Sequence, residues 1–139
     1  MISLERRDGR LLRIGHRGAA ALAPENTIAS FRAAVAAGVD LVELDVLRLR
    51  SGELVIAHSN NLREMSHGAA RGHVGDRSLA ELRELCPELP TFDEALGFFA
   101  AEVPETGIHL DLKSAGAADG VAAALNRFAL VARRFRHTR

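Results

Sequence analysis

Hydrophobic positions along this chain switch between two periods, and the switching predicts its elements. Residues 11–14 form a short apolar run ending in Gly15, His16, Arg17 and Gly18, which reads as a strand opening into a loop. After Pro24, Ile28, Phe31 and Val35 fall at helical spacing, with Asn26 or Thr27 available as the cap and Gly38 as the stop. Strands follow over 40–47 and 54–57, separated by the turn residues Ser51 and Gly52, and the second of them ends at His58. Between residues 59 and 107, Ser78 with Glu81 and Thr91 with Glu94 each have capping-box spacing ahead of an amphipathic run. Pro87 and Pro90 force a break between those two helices. A strand over 108–113 and a helix over about 118–129 complete the pattern. Strands alternating with helices imply an α/β fold with a parallel sheet. The length suits one domain, 1–139, with the helical stretch at about 59–107 as an insertion.

Two of these strands carry charge where charge is expensive. Leu44 and Val46 interleave with Glu43 and Asp45, and in 108–113 the same period sets Asp111 beside Lys113. Side chains two apart on a strand share a face. Both faces of a parallel strand are usually covered, so paired carboxylates stay ionised there only against a cation or a firm set of donors. A divalent metal is the simplest supply of that charge, and a solvent-facing pair on an edge strand is the ordinary alternative. The loops after the carboxyl ends of strands build the sites of α/β folds, and His16, Arg17, His58 and Lys113 stand at such ends. Lys113 is the only lysine in a chain that otherwise uses arginine, which points to a local requirement for a compact ammonium, a chance lysine paired with Asp111 being the ordinary alternative.

Composition narrows the partners. Lys and Arg together number 18, as do Asp and Glu, so neither a nucleic-acid polyanion nor an anionic membrane is implied. Trp and Tyr are absent, which removes most stacking platforms for bases. The first residues have arginines without an apolar segment behind them, and the weakly polar stretch 120–132 is too short to span a bilayer. A cytoplasmic protein without a membrane span is expected. Cys86 is alone, which excludes an internal disulfide and suits a small buried apolar residue. From Arg127 onward the tail holds five arginines and no acid, which reads as a solvated end.

Several short stretches together resemble one family, the glycerophosphodiester phosphodiesterases, which are metal-dependent (β/α) barrel enzymes. They are Gly15 to Gly18 followed by Pro24, Glu25, Asn26 and Thr27; Val42 to Val46; Ala57 with His58; and Leu110 to Lys113. A weaker run, Leu89 to Glu94, resembles the family's entry to a helix, and the likeness extends to about Arg127. It implies a TIM-barrel type of fold, here an incomplete barrel of about four β/α units, because a full barrel takes ~250 residues. By the same resemblance the activity is hydrolysis of glycerophosphodiesters to glycerol 3-phosphate and an alcohol. Glu43, Asp45 and Asp111 would hold one divalent cation, Ca²⁺ or Mg²⁺, and Arg17 and Lys113 would bind the substrate phosphate. His16 and His58 would divide the proton work, with acid and base left unassigned. In the family the first nucleophile is the substrate's own glycerol hydroxyl, and a cyclic phosphate is later opened by water.

Several positions depart from the family pattern: Ser59 where Asp usually follows the second histidine, Asp111 where Glu is frequent, His109 where Asn is common, and the stretch after Met65, where the family's usual threonines are missing. A half-barrel leaves two open sheet edges. The chain is therefore expected to be the N-terminal part of such an enzyme or to pair as a homo-oligomer that closes them. Two other functions stay open. One is a catalytically silent half-barrel that binds metal and phosphate esters; the other is a metal-dependent phospholipase acting on lipid head groups.

Overall fold

The computed structural model describes residues 9–128. Residues 1–8 and 129–139, with most of the arginine-rich tail and the last position expected in the final helix, lie outside the described residues. β1 (Ile14–Gly15) leads through a loop to α1 (Ile28–Ala36), and β2 (Leu41–Arg48) turns into β3 (Leu54–Ile56). Next come α2 (Leu62–Met65), a 3-10 turn at Val74–Asp76, α3 (Leu79–Leu85) and α4 (Phe92–Ala101). β4 (Gly107–Leu112) and α5 (Ala117–Arg127) follow. No described helix is long and apolar enough to cross a membrane.

β2 is the strand on which the sheet is built. β1 runs parallel to its first residues, Ile14 opposite Leu41 and Gly15 opposite Val42. β4 runs parallel along the other edge, from Gly107 opposite Leu41 to Leu112 opposite Val46. The parallel alternation of the sequence thus holds for β1, β2 and β4. β3 departs from it, returning antiparallel to β2 with Ile56 opposite Val46. Only residues 49–53 join β2 to β3, and a parallel crossover needs a dozen or more. Gly52 at φ +99° and the bond from the Leu49 N–H to the Glu53 carbonyl, 2.8 Å, close the hairpin.

Val42, Leu44 and Val46 point from β2 into a core shared with Phe31 of α1, Phe99 of α4 and Val121 of α5. Phe31 and Phe99 lie 5.5 Å apart between ring centroids. Burial of each large apolar side chain there is worth about 1.5–3 kcal/mol relative to exposure. A second cluster, with Leu47, Val55, Leu62, Val74 and Leu82, fastens α2, the 3-10 turn and α3 to the far end of β2 and to β3.

The capping boxes at Ser78 and Thr91 form as their spacing predicts. Thr27, not Asn26, caps α1, in a box with Ser30, which leaves Asn26 for another task. α2 is a single turn, too short for periodicity to register. β1 is shorter than the apolar run before it because pairing with β2 begins at Ile14, and Leu11 is exposed.

Candidate active site

With Val42, Leu44 and Val46 turned toward the helices, Glu43 and Asp45 take the opposite face of β2. β4 repeats the arrangement: Ile108 and Leu110 join the helix-side core, while the register sets His109 opposite Glu43 and Asp111 opposite Asp45. Glu43 is 8% exposed and Asp45 1%, whereas Asp111 is open to solvent. One oxygen of each carboxylate lies within 4.8 Å of the other two.

Buried carboxylates need donors, and the neighbouring segments supply them. The Arg17 N–H donates to Glu43 Oε2 at 2.9 Å. Asn26 Nδ2 donates to Asp45 Oδ2 at 2.8 Å, and the Asp45 N–H returns to Asn26 Oδ1 at 3.3 Å. Lys113 Nζ stands 2.6 Å from Asp111 Oδ2 and 3.2 Å from Asp45 Oδ1. The hydrogen bond from Lys113 holds the Asp111 carboxyl below its usual range, and the same contact pushes the Lys113 ammonium up. Arg17 Nη1 reaches Glu25 at 3.0 Å and its Nε lies 3.4 Å from Asp45 Oδ2. That buried Nε makes no hydrogen bond. Four carboxylates, on Glu25, Glu43, Asp45 and Asp111, therefore face two cations, Arg17 and Lys113. A divalent ion would balance the set, and donors that are all oxygen suit a hard cation.

The loop after β1 is pinned at both ends. Arg17 (φ +53°) and Asn26 (φ +56°) are both left-handed, and the Arg17 carbonyl accepts from the Asn26 N–H at 3.0 Å and from Ser30 Oγ at 2.9 Å. Gly18 sits at φ +84° against Ser30, where an added Cβ would stand 2.3 Å from Ser30 Oγ. Only glycine fits.

The histidines take different places. His16 is exposed one residue past β1, and the peptide joining it to Arg17 is the one whose N–H donates to Glu43. His58, just beyond β3, is half-buried; its Nδ1 lies 3.4 Å from Glu64 Oε1, and its charge acts on the Asp111 carboxyl through space. A pocket of about 310 Å³ opens beside it, lined by Asn26, Ala57, His58, Glu64, Met65 and Leu89 among others. Cys86 also borders the pocket and is half-buried, its thiol pushed up by burial. Direct contacts thus join Glu43, Asp45, Asp111, Arg17 and Lys113; His58 approaches through space and His16 through the chain. Sequence reasoning gave no site role to Glu25, Asn26 or Glu64. Asn26 stood in the Pro24 to Thr27 run, where periodicity offered it only as a cap, and Glu64 lies on a helix too short to be seen.

Comparison with known proteins identifies the family. Residues 16–128 match the Glycerophosphoryl diester phosphodiesterase family model. A glycerophosphodiester phosphodiesterase of Caldanaerobacter subterraneus subsp. tengcongensis is 40% identical over 72 residues, 52% of this chain and 29% of that protein. The crystal structure of a glycerophosphodiester phosphodiesterase from Thermotoga maritima matches with a TM-score of 0.75 at 30% identity, over 85% of this chain and 51% of that one. An Oleispira antarctica phosphodiesterase, solved in complex with the product sn-glycerol-3-phosphate, matches with a TM-score of 0.67 at 26% identity, over 84% of this chain and 52% of that one. The chain spans about half the length of these solved structures, and its sheet and helices are a partial barrel of the TIM type that they share. The match begins at His16, runs through both acid-bearing strands and ends beyond α5, so the chain belongs to the glycerophosphoryl diester phosphodiesterase family.

Proposed function

We propose that this chain carries out metal-dependent hydrolysis of glycerophosphodiesters to glycerol 3-phosphate and an alcohol. One observation carries the reading: Glu43, Asp45 and Asp111 meet within 4.8 Å, flanked by Arg17 and Lys113. The three carboxylates would hold one Ca²⁺ or Mg²⁺, which when bound lends positive charge to the phosphoryl oxygens. Arg17 and Lys113 add their own charge. The buried Arg17 Nε lacks an acceptor that a phosphate oxygen would provide, and the Lys113 ammonium has a flexible stem on which to turn toward the same ligand. Phosphoryl chemistry depends chiefly on positioning and on neutralising those oxygens. His16 and His58 pass the protons, one taking a proton from the attacking hydroxyl and the other giving one to the leaving alcohol. The alcohol has room in the 310 Å³ pocket beside His58. The glycerol phosphate side of the assignment draws support from the product held by the Oleispira relative.

Hydrolysis of glycerophosphocholine is expected with Ca²⁺ or Mg²⁺ and should vanish with a chelator. Its kcat/KM should show a bell-shaped pH profile. His16→Ala should abolish turnover while leaving metal binding nearly intact, and a fully active His16→Ala removes that residue from the mechanism. Binding of metal and ester without turnover would instead favour a catalytically silent partial barrel, a reading supported by the chain's span of about half its solved relatives. We also infer that two copies pair. Support comes from β1 and β4, each of which pairs with β2 alone among the described strands, and from Ile14 and Leu112, which are exposed on them.

A further inference from the structure

His58 has a neighbour that the proposed chemistry does not use. Glu64, the third residue of α2, turns its carboxylate back so that Oε1 lies 3.4 Å from His58 Nδ1. Three features fix it there. Leu62, fully buried in the second core cluster, anchors the helix. Asn61 caps it, its side chain accepting from the Arg63 N–H at 3.1 Å. Ser59 then joins the two residues, since its hydroxyl oxygen accepts from the Asn61 N–H at 3.0 Å while the hydroxyl bonds the Glu64 carboxylate. A hydroxyl can donate once and accept at the same time, so both roles are met by one group. The Ser59 and His58 contacts hold the Glu64 carboxyl below its usual range, which keeps it an anionic acceptor.

We propose that Glu64 is the positioning residue for His58: its carboxylate accepts the hydrogen bond from Nδ1–H, fixes the tautomer and ring plane, and leaves Nε2 to carry proton traffic. The imidazole of a free histidine favours the opposite tautomer, so a carboxylate beside Nδ1 is what selects this one. No other carboxylate is placed to do it among the described residues: Asp111, which His58 influences through space, is engaged by Lys113 at 2.6 Å. Ser59 matters through Glu64 and not by touching the ring. The 3.4 Å separation is long for an N–H···O bond, and such contacts shorten when substrate closes a site.

The inference rests on the proposed role of His58, and its test reads the ring itself. Nitrogen-15 NMR of the imidazoles, recorded well above the ordinary histidine range so that the ring is neutral, reports which nitrogen bears the proton. The wild-type chain is expected to show His58 protonated on Nδ1. Glu64→Ala should return it to the Nε2–H form, and the double variant Ser59→Asp with Glu64→Ala should restore Nδ1–H by placing a carboxylate one residue from the ring. In the hydrolysis assay, Glu64→Ala should lower kcat roughly 10²-fold with little change in KM, and the double variant should recover most of it. An Nε2–H ring in the wild type overturns the proposal without any variant, as does a tautomer unmoved by Glu64→Ala. The tautomer switch in a chain that hydrolyses nothing upholds Glu64 and removes the catalytic reading of His58. Full hydrolysis with an Nε2–H ring does the reverse.

Discussion

Gly18 shows how tightly single residues set this site. Its φ of +84° is left-handed, and a Cβ there would press on the Ser30 hydroxyl, which itself holds the Arg17 carbonyl at 2.9 Å. Gly18→Ala combines backbone strain with a steric clash, so it should cost at least about 2 kcal/mol in urea unfolding. The same substitution should loosen the Arg17 N–H from Glu43, because Gly18 and Arg17 lie on one pinned loop. A variant as stable as the wild type would show that the loop bends at no cost. Asn26 is the companion case. Its left-handed backbone turns the amide onto Asp45, where it both donates and accepts, and frees Thr27 to cap α1. Spacing along the sequence could not separate those two tasks, because they differ in the sign of one dihedral angle and not in residue type.

At the scale of elements, β2 was legible and β3 only half so. The alternation of Glu43 and Asp45 with Leu44 and Val46 reports the two faces of the strand directly. The direction of β3 depended on counting the residues of its turn, and α2 was invisible because one helical turn has no period. The start of β2 is itself tied down by Asp40, whose carboxylate takes both terminal nitrogens of Arg10 at 2.9 Å and the Arg13 N–H at 2.8 Å. The Arg10 guanidinium, with the Arg13 N–H, holds that carboxyl down at about 2, against an ordinary 3.8. A carboxyl depressed on folding contributes stability above its unfolded value and loses it as pH falls toward the folded one. Asp40→Asn should therefore melt below the wild type at neutral pH, with the difference closing between about pH 4 and pH 2. An equal gap at pH 7 and pH 2 would show that shape, not charge, holds this corner.

At the scale of the whole molecule, the sheet is an arc. β1 and β4 flank β2, each pairs only with it among the described strands, and the chain covers about half of its solved relatives. Edge strands are templates for further pairing. Light scattering after size exclusion should give a mass above the 15.0 kDa of one chain, and charged replacements at Ile14 and Leu112 should lower it. A clean monomer that is stable to heating would count against pairing. The family was readable in the sequence because its acids, its cations and its glycine-bearing loop stand in fixed order. The orienting role of Glu64 was not, since Ser59, Asn61 and Glu64 come together only once α2 has folded back onto His58.

β2 also limits how such a chain can change over generations. Hydrocarbon and carboxylate occupy alternate positions of the same eight residues, so loss of one codon between Val42 and Val46 would exchange the two sides. Acids would be driven beneath α1 and α4, and valine and leucine would be turned toward the face that now carries Glu43 and Asp45. Lineages carrying this strand are expected to vary it by replacement alone, because any alteration of its length disturbs the apolar and the acidic face in one event.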